Sequence, residues 1–191
     1  MERVPYRATE AAAAYAGLRL PVSILLHDVR SMYNVGAFFR TADGAAIERL
    51  LLSGITARPP KSAITKTALG AEERVRWEPV QDVSATAQAL RAAGYELAAI
   101  ETTLRAVDIF DWQPRFPVCV LFGHEVDGLR ADLLTYCDTH VRIPMLGLKH
   151  SLNVASAGAI VMYELLRKYR ALHHTEPQQG SGHDLAPPNV T

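Results

Sequence analysis

Cysteine is scarce in this chain. Two occur in 191 residues, Cys119 inside an apolar run and Cys137 at the end of a helical pattern, and neither has the spacing of a metal ligand. A disulfide framework is thereby excluded, and a reduced cytoplasmic compartment is expected. Long apolar runs are missing as well, since none approaches the ~18 residues that cross a membrane. Glu2 and Glu10 stand in the N-terminal stretch where a secretion signal carries no acid, so neither export nor membrane anchoring is expected. Net charge is zero, with 20 Lys plus Arg against 20 Asp plus Glu, which removes any whole-molecule field drawing the chain to nucleic acid or an anionic membrane. Also absent are a Gly-x-Gly-x-x-Gly run after the first apolar segment, a Gly-Lys-Ser/Thr phosphate loop and a Gly-x-Ser-x-Gly elbow. NAD enzymes, P-loop ATPases and ordinary serine hydrolases are set aside on those grounds.

What the chain does contain is the composition of a globular domain: 49% hydrophobic residues, 21% charged residues and a mean hydropathy of +0.02. Its length suits one sizeable core. The neutral total hides an asymmetry, because residues 1–78 carry +3, residues 79–139 carry −5, residues 140–172 carry +4 and the remainder −2. Sixteen of the 20 cations are Arg, whose planar fork grips phosphate or carboxylate, so a locally basic site on a neutral protein is compatible with this charge pattern.

Short apolar runs alternate with helical patterns. Strands are expected at 22–26, 49–53, 95–100, 118–122 and 140–143, with a weaker one at 74–77. Helices are expected from near Asn34, from Asp82 to Gly94, from Gly128 to Cys137 and from Asn153 to about Leu172, with an additional one near 8–19. Strands that read as near-continuous apolar runs between helices imply an α/β fold, a parallel sheet with helices on both faces. Residues 1–20 are read as an N-terminal helical extension, 21–172 as one domain, and 173–191, polar and rich in Pro and Gly, as a disordered tail. His173, His174 and His183 in that tail lack the cysteines or rigid spacing of a metal site.

Ligands of open parallel sheets bind beyond the carboxyl ends of the strands. The tracts there are HDVRSMYNVGAFFRTADG, ETTLRA, GHEVDGLR and PMLGLKHSLNVASAG, which hold most of the Gly, His and small polar residues. In the first, Val35, Phe38, Phe39 and Ala42 form one helical face, Asn34 can cap the start, and Arg40 points away from the core, as a solvated surface Arg would. In the third, Gly123 lets backbone approach a ligand closely; Glu125 is either the site's acid or a solvated residue of a turn in which Asp127 caps a helix. His124, Glu125 and Asp127 do not make the His-Glu-x-x-His zinc arrangement, and no metal is expected. In the fourth, Ile143-Pro144 ends a strand, Gly147 permits a bend, and Ser151 or Asn153 can cap the last helix. Its start, Ala155, Ser156, Ala157, Gly158 and Ala159, suits either close helix packing or a crowded backbone passage.

Taken in order, these tracts resemble the SpoU, or TrmH-like, branch of the SPOUT RNA methyltransferases. The first family motif appears as Asn34-Val-Gly-Ala-Phe-Phe-Arg40-Thr-Ala, the second as Leu121-Phe-Gly-His-Glu125-Val-Asp-Gly-Leu, and the third as Ile143-Pro-Met-Leu-Gly147-Leu-Lys-His-Ser151-Leu-Asn153-Val. The resemblance covers about residues 20–170. It implies a C-terminal trefoil knot running from Pro144 through Gly158, a homodimer, S-adenosylmethionine as cofactor and a ribose 2′-hydroxyl of tRNA or rRNA as the methyl acceptor. It assigns the cofactor to backbone near Ile100 and Thr102, to Gly123, Ile143, Met145 and Leu152. Asn34, Arg40, Glu125, Ser151 and Asn153 become the catalytic and RNA-binding set. His124 departs from the Asn or small residue frequent between the motif-two Gly and Glu. No separate N-terminal RNA-binding domain is expected here, which leaves RNA to the dimer surface and to the basic segment 57–77, read as a loop common in the family, with five cations against two acids.

Methyl transfer from a sulfonium to oxygen needs a bound donor, an in-line hydroxyl and a destination for the proton, with no metal. The family's assignment of proton removal to Arg40 sits badly with a guanidinium that stays protonated. On physical grounds Arg40 fixes the neighbouring phosphate and stabilises developing alkoxide charge. The proton then passes to phosphate, water, His27 or His150. Two other readings stay open at this point: a noncatalytic RNA-binding protein with the same fold, and a base-modifying SPOUT methyltransferase.

Overall fold

The computed structural model describes residues 17–173. The helix expected at 8–19 falls almost wholly outside the described residues, as does the expected tail beyond His173.

Seven strands form one parallel sheet: β1 (Leu20–His27), β2 (Ile47–Ser53), β3 (Trp77–Val80), β4 (Glu96–Ile100), β5 (Val107–Asp108), β6 (Val118–Phe122) and β7 (Thr139–Arg142), in the spatial order β3-β2-β1-β6-β4-β7-β5. The strands at the centre are apolar at nearly every position because helices cover both faces. All five residues of β6 are buried, and Leu25 of β1 lies between Leu51 of β2 and Leu121 of β6. With every pair parallel, all C-terminal strand ends lie along one edge of the sheet and all N-terminal ends along the other.

The helices are α1 (Met32–Gly44), α2 (Ser62–Ala68), α3 (Val83–Ala92), α4 (Ala131–Leu134) and α5 (Val154–His173). On one face Ile24, Leu26, Leu52, Val120 and Phe122 meet Phe38 and Phe39 of α1, Ile64 of α2, and Val161, Met162 and Leu165 of α5. On the other face Leu25, Leu51, Leu97, Ala99 and Leu121 meet Val83, Ala87 and Leu90 of α3 and Leu133 of α4. Each fully buried Leu or Phe contributes about 1.5–3 kcal/mol to this two-sided core. No described helix is long and apolar enough to cross a membrane.

Four expectations need correction. The weak strand at 74–77 is displaced to Trp77–Val80, because Val75 turns into the α1 side of the core and a 3-10 turn, Ala71–Glu73, precedes it. Pro79 is tolerated there because β3 pairs only with β2 and lies at the sheet edge. The helix from Gly128 to Cys137 shrinks to Ala131–Leu134, since Gly128 has φ +68° and is bridged to His124 in a tight antiparallel turn. The cap of α1 is Ser31, whose hydroxyl accepts from the Asn34 amide nitrogen, rather than Asn34 itself. Finally, the basic segment 57–77 is not a plain loop: α2 lies within it, packed so closely on α1 that a Cβ on Gly36 would strike Thr67 and the Ile64 carbonyl.

Candidate functional site

The loops that leave the C-terminal ends of β4, β6 and β7 enclose a cavity of about 330 Å³. Ile100 and Thr102 come from the first loop, Gly123 from the second, and Ile143, Met145 and Leu152 from the third; all six line the cavity. Glu125 and Ser151 line it too, while Asn34, Arg40 and Asn153 lie beyond its wall.

Two of those three still join the site through hydrogen bonds. The Glu125 carboxylate accepts from the backbone N–H of Arg30 (3.0 Å) and of Ser31 (2.9 Å) and from Asn34 Nδ2 (3.0 Å). Burial pushes the Glu125 carboxyl up, but these donors outweigh it and hold the group below the usual carboxylate range. Glu125 is therefore an anion that ties the β6 loop to the first turn of α1, and a group so held is a poor proton acceptor. Asn153 Nδ2 donates to Asn34 Oδ1 (3.2 Å), and Asn153 Oδ1 accepts from the N–H groups of Ala155 (2.9 Å) and Ser156 (3.3 Å), which caps α5. The chain Glu125, Asn34, Asn153 thus connects the starts of α1 and α5 at the mouth of the cavity.

Arg40 stands apart from this network. It is exposed, six residues beyond Asn34 and about 9 Å further along the helix axis, with no ion pair to any described residue. Its exposed position agrees with the helical pattern, whose apolar side is buried at Val35, Phe38, Phe39 and Ala42.

Gly123 has a reason of its own inside the protein. A Cβ there would run into the backbone of Gly128 and Leu129, so the glycine is required for the turn to close as well as for the open cavity wall. His124 serves that same turn. Its Nδ1 accepts from the N–H of Val126 (3.3 Å) and Asp127 (3.2 Å), the bonds a short Asn side chain would make. Asp127 Oδ2 lies 2.9 Å from the same nitrogen, so a protonated ring would donate to it instead. Asp127 thus lies beside the His124 ring and caps no described helix.

The two histidines considered as proton acceptors are far from equivalent. His150 lines the cavity. His27 does not: its Nδ1 lies 2.9 Å from Ser53 Oγ, and its Nε2 is 3.1 Å from Asp28 Oδ2 without the alignment of a hydrogen bond. Burial lowers the His27 pKa despite the nearby Asp28 carboxylate.

Glu101 was not singled out from the sequence. It accepts from the N–H of Leu129 (3.0 Å) and of Thr102 (3.0 Å), clamping the β4 and β6 loops together beside the cavity. Its signal was its position directly after a buried strand. Arg142, also on the wall, donates from Nη1 to the Ala106 carbonyl (3.0 Å).

Comparison with known proteins places this geometry among related chains. The model of the SpoU rRNA Methylase family matches residues 21–163. The 23S rRNA (guanosine-2′-O-)-methyltransferase RlmB of Vibrio parahaemolyticus is 30% identical over 149 residues, covering 78% of this chain and 60% of that protein. The tRNA (guanosine(18)-2′-O)-methyltransferase of Escherichia coli K12 is 28% identical over 149 residues, covering 77% of this chain and 63% of that protein. The chain thus spans about three fifths of the length of these curated relatives. Among solved structures, the AdoMet-bound rRNA methyltransferase of Sinorhizobium meliloti superposes with a TM-score of 0.72 at 28% identity, over 76% of this chain and 56% of that one.

Proposed function

The chain belongs to the SpoU rRNA methylase family, and from that premise we propose that it transfers a methyl group from S-adenosylmethionine to a ribose 2′-hydroxyl of tRNA or rRNA. One observation carries the reading: the six positions expected to hold the donor, drawn from three separate loops, line a single cavity. The lining also suits the donor chemically. Ile100, Ile143, Leu152 and Ala157 offer apolar surface to a flat purine, Glu101, Glu125 and Asp127 offer carboxylates to a cationic amino acid and sulfonium, and Arg142 offers a cation to its carboxylate. When bound, the donor supplies a methyl group on a positively charged sulfur.

The remaining steps belong to the protein. Ile100, Thr102, Gly123, Ile143, Met145 and Leu152 hold the donor. Glu125, already ionised and bonded, orients Asn34 and through it Asn153, which with Ser151 surround the ribose. Arg40 fixes the RNA phosphate and stabilises alkoxide charge on the acceptor oxygen. The proton goes to phosphate, to water or to His150, which stands on the cavity wall; His27, buried against Ser53, does not line the cavity. Metal has no part in this chemistry.

The rest of the reading concerns assembly. We assign residues 21–172 to one catalytic domain, and the passage from Pro144 to Gly158 to a trefoil knot. The support is the close passage at its end, where Gly158 of α5 presses onto the Phe38 ring of α1. RNA is held by a homodimer surface together with Arg58, Lys61 and Lys66 around α2. The compartment is cytoplasmic. Its two thiols are buried in the core, where burial raises both pKa values, that of Cys137 to about 12, so neither is poised for redox chemistry.

Incubating the protein with methyl-labelled donor and total RNA from a methylation-deficient strain, then mapping the product, tests the reaction. Label on one ribose of a tRNA or rRNA is the expected result. Label on a base, or none on RNA, would contradict it.

A further inference from the structure

A second cavity, of about 850 Å³, opens at the opposite edge of the sheet, where the strands begin. Tyr95 and Ile100 bracket β4, one beside each cavity, so the two are separated by roughly 16 Å along a strand rising about 3.3 Å per residue. Nothing in the catalytic reading uses this second cavity.

Its chemistry is that of a polyanion with flat rings. Arg19, Arg76 and Arg115 stand around it, all three exposed, and their guanidiniums pair with no described carboxylate. Elsewhere on the surface Arg91, Arg130 and Arg167 each close on an acid, Asp138, Asp132 and Glu164 respectively. Among the described residues that line the cavity the one acid, Glu48, accepts from the Tyr95 hydroxyl at 2.7 Å. Three guanidiniums thus face one carboxylate among the described lining residues, and the excess of positive charge draws an anion. Along one wall the rings of Phe116, Tyr169 and His173 succeed each other: Phe116 meets Tyr169 edge-on at 5.1 Å, and His173, an exposed residue, stacks on Tyr169 at 4.0 Å. Guanidinium forks for phosphate beside a row of rings for a base are the two parts of a sequence-tolerant site for single-stranded RNA.

We propose that this cavity is a second RNA-binding site, which takes unpaired nucleotides of the same RNA whose ribose is methylated at the other edge. The separation corresponds to about five base steps of 3.4 Å, well within one folded RNA. The inference rests on RNA being the substrate and adds to that reading a remote contact that contributes affinity and sets which RNA is accepted. It also explains the split of the basic segment 57–77, whose Arg58 and Lys61 follow the C-terminal end of β2 while Arg76 precedes β3 at the other edge.

The test is RNA binding by the full chain and by the triple variant Arg19→Gln, Arg76→Gln, Arg115→Gln, each titrated with unmodified tRNA over a range of salt. S-adenosylmethionine binding and circular dichroism serve as controls for the fold. The triple variant is expected to lose tenfold or more in RNA affinity, and its dependence of log K on log salt to flatten by about 2, near 0.7 for each of three lost phosphate contacts. His173→Ala should lower affinity about fivefold with the salt dependence unchanged, as expected for lost stacking. Equal affinity and equal salt slope in wild type and triple variant would overturn this inference alone. Saturable binding of AMP or inorganic phosphate at the three arginines with RNA binding untouched would also overturn it, assigning the cavity to a free nucleotide. A wild type that binds no RNA would instead remove the substrate reading on which it rests.

Discussion

Arg40 carries the sharpest residue-scale consequence. Its side chain is exposed and free of ion pairs with described residues, so Arg40→Ala should change stability by no more than about 0.5 kcal/mol. Removal of an electrostatic contact to the forming alkoxide should lower methyl transfer by a factor on the order of 100. Donor affinity should stay put, and Arg40→Lys should rescue poorly because an ammonium lacks the bidentate fork. Single-turnover transfer measured beside donor titration checks this, and near-normal transfer by the Ala variant would return Arg40 to an ordinary surface residue. Ile100, Thr102, Gly123 and Ile143 were legible because they stand at or just after the end of a strand, where a parallel sheet offers its ligand crevice, whereas Met145 and Leu152 were reached only through the family motif. The structural duty of Gly123 was not legible: the collision that forbids a side chain there is with Gly128 and Leu129, five and six residues on, across a turn no local pattern announces. Gly123→Val is consequently a folding variant as much as a binding one. Glu101 escaped notice for a related reason, since a carboxylate that clamps two backbone N–H groups reads in sequence like any loop acid.

Among the elements, the start of α5 shows how a small residue can serve two ends. Ala157 lines the proposed donor cavity while Gly158 lies against the Phe38 ring of α1, where a Cβ would overlap the ring itself. Phe38 is fully buried and edge-on to Phe122 at 5.1 Å, so it has nowhere to retreat. Gly158→Ala should therefore cost about 1–3 kcal/mol through overpacking, although alanine favours a helix interior by about 1 kcal/mol. Denaturant unfolding decides between the two effects, and a stabilised Ala variant would show that α5 is free to slide off α1. The apolar runs of β1, β2, β4 and β6 announced these strands to within a residue or two because burial on both faces leaves few polar positions in them, and the shorter β7 fell within a residue of its expected place. α2 was missed since seven residues with Lys66 and two threonines carry too little periodicity, and its place is set by contact with Gly36 of α1. β5, two residues long, exists only by pairing with β7. The helix expected after Gly128 failed for the opposite reason, its apolar residues being spent on the core from a mostly irregular segment.

At the scale of the whole molecule, the parallel sheet separates two edges, and the proposed donor cavity occupies the one where α1 and α5 both begin. Apolar side chains are left exposed near there: Leu146 and Leu148 are essentially fully exposed, at 100% and 96%, and Ile160 and Tyr163 present a partly open stripe on α5. A patch of that kind is buried by a second copy in the proposed homodimer. Light scattering should give twice the 20.9 kDa chain mass at working concentrations, and a monomer with intact transfer would refute the dimer. The α/β class was legible from alternation alone, whereas the path by which the loops converge on one cavity needed the sheet order, which strand patterns leave open. The account as a whole stands on that cavity holding the methyl donor. Calorimetric titration of the full chain with S-adenosylmethionine and with its demethylated product measures this directly. Saturable binding of both, one molecule per chain, without added metal and unaltered by Arg40→Ala, is the result the account predicts; a wild-type protein that takes up neither would contradict it.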